Sequence, residues 1–155
     1  MKFWGYLFLA AIVLWSFSSQ AALVTMESPY SVKRTMDRLQ KAVKSKKLKV
    51  FSRINHAVGA KKAGLKLADS EVLIFGNPKV GTQFMQALPT IALDLPMKMV
   101  VYKDKKGIVW IGYRDMHAVA AAHEGQVEKS LVNKVNGVLE GLARAAVKNG
   151  IKTRN

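Results

Sequence analysis

In "SVKRTMDRLQKAVKSKKLK" the apolar residues Val32, Met36, Leu39 and Val43 return every three or four positions. That period predicts an amphipathic helix over about residues 31–46, started by Ser31 as N-cap. Its other face carries Lys33, Arg34, Arg38, Lys41 and Lys44. Arg34 takes the place a capping box gives to Glu, which sets a cation against the positive end of the helix dipole. Ahead of the helix, Leu23, Val24 and Met26 read as a first strand closed by the turn "SPYS". After it, "KVFSRINHA" alternates, with Val50, Ser52, Ile54 and His56 on one face and Phe51, Arg53 and Asn55 on the other. The first face holds the aliphatic pair, so His56 is expected to point inward or into a pocket. "AVGAKKAGLKL" reads as a connector with one short helical turn. Val72 to Phe75 is an unbroken apolar run, the pattern of a strand buried on both faces.

The next segment, "GNPKVGT", reads as a tight strand-to-helix corner with Thr82 as N-cap of a helix through Leu88. Gly76 and Gly81 would supply unusual dihedrals, and Asn77 an Asx turn before Pro78. Pro89 interrupts the helix and forces a kink or restart before "LDLP". Met97–Lys103 and Ile108–Arg114 are strands joined by "KDKKG", with Gly107 suited to the left-handed position of the hairpin. Tyr113 shares a face with Val109 and Ile111, opposite Trp110. Asp115 caps a short helical piece over Met116–His123, and a long helix follows over about 126–149. Its predicted stripe is Val127, Leu131, Val135, Val138, Leu142 and Ala145, with Gly150 at C′. The resulting order, β-α-β-β-α-β-β-α, specifies an α+β fold with a mostly antiparallel sheet and helices packed on it.

Two bulk features change this picture. Residues 1–21 hold Lys2, an apolar run from Phe3 to Trp15, and then Ser19-Gln20-Ala21. Small residues at −3 and −1 predict a signal peptide cleaved before Ala22, and the apolar core is short for the roughly 20 residues of a membrane span. The expectation is a periplasmic or secreted protein, with one domain over 22–150 and a tail at 151–155. The absence of cysteine removes disulfides, thiol catalysis and thiolate metal sites. The net charge of +15 becomes +14 without Lys2. In an exported protein that excess points away from nucleic acid and towards an anionic envelope surface, an acidic partner or an anionic ligand. A basic solvated surface without a partner explains the charge equally well.

"GNPKVGT" is not a nucleotide loop. The P-loop lysine directly follows the second glycine, whereas Lys79 precedes Gly81, and Pro78 removes a backbone N–H from the cradle. The alternative to a purely structural corner is an anion site at the helix start, with Lys79 beside it. "INHAVGAKKAGLKL", "LIFGNPKVGTQFMQALP", "ALDLPMKMVVYKDKKGIVWIGYRD" and "AAAHEG" resemble the prokaryotic family known as domain of unknown function 302. The resemblance runs over nearly all of residues 24–125, and its distinctive part is Phe-Gly-Asn-Pro-x-x-Gly-Thr-x-x-Met. It implies a small α+β domain that associates as a homodimer, and it brings no agreed activity.

The candidate ligand-binding residues are His56, Asn77, Lys79, Asp94, Tyr113 and His123. Most are polar positions of the family pattern, and three roles compete for them. They are turn and cap residues, or a binding pocket where His56 and His123 converge, or a general base beside a carboxylate in a small enzyme. No residue is assigned a catalytic role, and the sequence names no cofactor. No His-x-x-x-His or His-Glu-x-x-His spacing marks a metal site. A copper or haem site would need Met85, Met97, Met99 or Met116 together with a histidine. The leading expectation is a non-catalytic module that binds a small ligand or a partner.

Overall fold

The structure is a computed structural model, and it describes residues 23–148. Eleven elements follow in order: β1 (Leu23–Ser28), α1 (Val32–Ser45), β2 (Lys49–Asn55), α2 (His56–Lys62), β3 (Ser70–Gly76), α3 (Pro78–Ala87), a 3-10 turn (Pro89–Leu93), β4 (Met97–Lys103), β5 (Val109–Arg114), α4 (Met116–Ala121) and α5 (Lys129–Val147). The strands form one sheet in the order β1-β5-β4-β3-β2, antiparallel throughout. The expected α+β class and its five strands are observed. The connector after β2 holds a full short helix, and the C-terminal helical region divides into α4 and α5.

One face of the sheet is buried. Leu73 and Phe75 of β3, Met99 and Val101 of β4, and Ile111 and Tyr113 of β5 all lie in the core. Helix α1 meets this sheet from β2 to β5, and α5 meets β1 and β5. Val32, Met36, Leu39 and Val43 are the buried stripe of α1, as its period predicts. On the opposite face, Val72, Ile74, Val100 and Trp110 are half-buried beside exposed Thr25, Glu27 and Lys98. β3 therefore alternates and is not buried on both sides. The sheet is single-layered, so only every second residue meets helices.

β2 departs from its expected alternation for a local reason. Its register to β3 shifts between Val50 and Ser52, so Val50 pairs with Phe75 while Ser52 pairs with Ile74. The extra residue at Phe51 is a bulge, which reverses the faces beyond it. Arg53 consequently lies on the helix side. It donates to Glu71 Oε2 at 2.6 Å, to Asp37 Oδ1 at 2.6 Å and to Gln40 at 3.3 Å, tying β2 to β3 and α1. Ile54 faces the other way and is 40% exposed.

Helix α5 is rotated from the predicted stripe. Val132, Val135, Leu139, Leu142, Ala143 and Ala146 are buried, whereas Leu131 and Val138 are half-buried and Ala145 is exposed. Glu128 is its N-cap, and the predicted C′ position Gly150 lies outside the described residues. Arg38 explains part of the basic face of α1. It donates to the carbonyls of Ala145, Ala146 and Lys148, which are orphan acceptors at the end of α5. The Arg34 and Arg38 guanidinium carbons stand 4.5 and 4.8 Å from the centroid of the Tyr30 ring, an attraction that offsets the unfavourable place of Arg34 at the helix start.

Candidate functional site

The β3–α3 corner is built differently from a loop that leads to Thr82. Asn77 is the N-cap of α3, with its side-chain oxygen accepting from Lys79 N at 3.0 Å, and Pro78 is the first helical residue. Asparagine supplies the cap acceptor, and proline costs nothing where the N–H has no intrahelical partner. Gly81 and Thr82 thus lie inside the helix. Neither Gly76 nor Gly81 has a positive φ, so their use here is not conformational.

Their use is spatial. A cavity of about 240 Å³ opens at this corner, and both glycines line it. Phe51 of the β2 bulge, Val80, Phe84 and Met85 of α3, and Leu95 and Pro96 before β4 form much of the wall. Met97, Met116 and Val135 complete it from three further elements, and Asn77 and Thr82 are its polar members. A Cβ on Gly76 would meet Phe51 and Pro96 at 3.7 Å, and one on Gly81 would meet Leu95 at 3.9 Å. Both positions tolerate a side chain, and that side chain would occupy the cavity wall. Among the described residues no titratable side chain lines the cavity.

A second depression of about 340 Å³ shares Met97 and Met116 with the first. It brings together Asp94 and Tyr113 with Lys98, Arg114 and the bare backbone of Gly112. Burial is the leading cause that pushes the Tyr113 phenol above its ordinary value, with the charges of Glu140 and Asp115 adding to it. Asp94 ends the 3-10 turn and accepts from His123 Nε2 at 2.9 Å, while His123 Nδ1 lies 2.9 Å from Thr90 Oγ1. The His123 side chain is 8% exposed. Both ring nitrogens are occupied, which fastens the α4–α5 loop onto the 3-10 turn and leaves neither free for a ligand. Gly125 makes that approach feasible: it has φ +122°, and a Cβ there would stand 2.6 Å from Leu88 Cδ2.

His56 lies elsewhere. It is the first residue of α2, capped by Asn55 and exposed. Asn55 pairs with Glu71 at one end of β3, whereas Phe75 near the other end pairs with Met97, just past Asp94. The two histidines therefore do not converge, and His56 does not point inward; the bulge and the start of α2 take it out of the alternation. Met85, Met97 and Met116 do meet at the first cavity, but neither histidine lines it, and Met99 is sealed in the core. Among the described residues no group of three His, Asp or Glu side chains could hold a metal. The six sequence candidates thus divide: Asn77 on the wall of the first cavity, Lys79 next to it in sequence but off the wall, Asp94 with Tyr113 at the second, His123 holding Asp94, and His56 apart. Phe51, Leu95 and Val135 were missed as wall residues, because only the tertiary fold brings them to the corner.

The family model described as domain of unknown function DUF302 matches residues 24–146. A crystal structure of an uncharacterized conserved DUF302 protein from Bacillus stearothermophilus is similar in fold, with a TM-score of 0.72 and 18% identity over 80% of this chain and 97% of that one. Two proteins named fluoride-specific ion channel FluC 1, from Brucella suis and Brucella abortus, are 44% identical over 103 residues. The match takes in 66% of this chain and 41% and 38% of those proteins, so this chain spans about two fifths of their length. Among the described residues no helix is long and apolar enough to cross a membrane.

Proposed function

This chain belongs to the family of domain of unknown function DUF302, and on that footing we propose that it is a non-catalytic binding module whose site is the apolar cavity at the β3–α3 corner. The carrying observation is the wall itself, closed by apolar side chains from separate elements and left open where two glycines stand. Ligand sites are mostly apolar and concave with a few polar groups, and 240 Å³ lies just below the usual span of about 300–1,000 Å³ for drug-sized ligands. The ligand is accordingly small. The absence of a titratable side chain on the wall, and the two occupied nitrogens of His123, support binding over catalysis.

The reading includes export, with Ala22 as the first residue of the mature protein, and a homodimer formed through the open sheet face. Half-buried Val72, Ile74 and Val100, with Leu23 61% and Ile54 40% exposed, support that face as the contact. Intact mass of the secreted form and light scattering after gel filtration test these two parts. The cavity is tested by chemical-shift titration with 1-octanol. Saturable shifts confined to Gly76, Gly81 and the Met85 and Met97 methyls are expected, and Gly81→Leu should abolish them. Shifts that never saturate, or that persist in Gly81→Leu, refute the reading.

The Brucella relatives favour a second reading. A segment like this domain shares one chain with the remainder of a protein named a fluoride-specific ion channel, and this chain would serve as an accessory to such a channel. Unchanged fluoride tolerance after deletion of the gene would dismiss it.

A further inference from the structure

A cation stands beside the apolar cavity. Lys49 stands opposite Gly76 in the β2–β3 register, and its Nζ lies 5.1 Å from the centroid of the Phe51 ring; both neighbours line the cavity. Lys79, on the first turn of α3, is exposed on the helix face turned away from the wall residues Gly81, Phe84 and Met85. Among the described residues no carboxylate pairs with Lys49, and no acidic side chain lines the cavity. The chain as a whole is +15.

An apolar chamber with an unpaired cation beside it complements a molecule with an apolar tail and an anionic head. Resting on the cavity reading above, we propose that the ligand is a single-chain aliphatic carboxylate, its tail in the chamber and its head at Lys49. The volume sets the tail length. At about 30 Å³ per methylene-sized group, the share a water molecule takes in the liquid, 240 Å³ holds about eight groups. Met85, Met97 and Met116 suit such a tail, because unbranched thioethers adapt to a flexible chain. A cationic amphiphile would meet the same lysine as repulsion.

Calorimetric titration of the full chain with octanoate, 1-octanol and octyltrimethylammonium tests this. Octanoate should bind about twofold more tightly than 1-octanol, the effect of one solvent-exposed ion pair. That advantage should shrink as salt is added, and octyltrimethylammonium should bind most weakly. Lys49→Ala should remove the octanoate advantage and leave 1-octanol unchanged, and Lys79→Ala should leave both unchanged. Lys98→Ala with Arg114→Ala, at the neighbouring depression, should leave both unchanged. Equal affinities for octanoate and 1-octanol, an advantage that survives loss of Lys49, or one lost with Lys79 or with Lys98 and Arg114, overturns the anionic head at Lys49 while the apolar cavity stands. No saturable binding of any of the three overturns the cavity reading and this inference with it.

Discussion

Gly81→Ala sets stability against occupancy at one atom. Gly81 is the fourth residue of α3, its φ is not positive, and a Cβ there meets only Leu95 Cδ1, at the ordinary contact distance of 3.9 Å. Glycine in a helix interior is about 0.8–1 kcal/mol less favourable than alanine, and the new methyl would be partly screened by Leu95. The expected gain is about 1 kcal/mol, which for a domain of this size raises Tm by roughly 3–5 °C. Urea unfolding followed by circular dichroism should show the midpoint moving up with the slope unchanged. The same methyl enters the cavity wall, so 1-octanol should bind more weakly in the more stable protein. Destabilisation by more than about 1 kcal/mol would refute the reasoning, because it would mean that the helical assignment of Gly81 or the open space beside it is wrong.

Gly125→Ala should have the opposite sign. With φ +122° and 2.6 Å to Leu88 Cδ2, it should cost about 2–3 kcal/mol by the same urea measurement. Arg53→Met leaves the nearly buried Glu71 carboxylate without its partner and should cost about 3 kcal/mol, while adding Glu71→Leu should recover most of that loss; a double variant no better than the single would contradict it. Asp37 is held below its ordinary 3.8, first by the hydrogen bond from Lys33 and then by that from Arg53. Its contribution is therefore fully present above 3.8 and lost as the pH falls through the lower folded value. Asp37→Asn should cost about 0.5 kcal/mol or less at pH 7, given its exposure, and nothing once the wild-type carboxylate is protonated. Asn77→Ala should cost about 1 kcal/mol through loss of the cap, whereas Lys79→Ala should leave Tm within a degree of wild type; a clear drop for Lys79 would mean that its side chain has a structural partner.

The features legible in the sequence depend on neighbours a few residues away. The α1 stripe, the Ser31 and Asp115 caps, the turn at Gly107 and the break at Pro89 are each set by side chains within about one helical turn. The five strands and the α+β class follow from the same local periods. The corner motif was also visible as "FGNPKVGT", although the cap belongs to Asn77, five residues before Thr82, because Asn-Pro is itself a good helix start. What the period could not decide was which of two admissible faces meets the core. The predicted and observed stripes of α5 share Val135 and Leu142, and packing against β1, β5 and α1 selects between them. One inserted residue at Phe51 reversed β2, sent Arg53 to Glu71 and Asp37, and brought Phe51 to the cavity. A bulge carries no separate signature in an alternating stretch, since its stabilising partners lie on β3 and α1. The cavity is likewise absent from any local pattern, because its wall is drawn from residues 51 to 135, and only the folded chain brings those surfaces within reach of one small molecule.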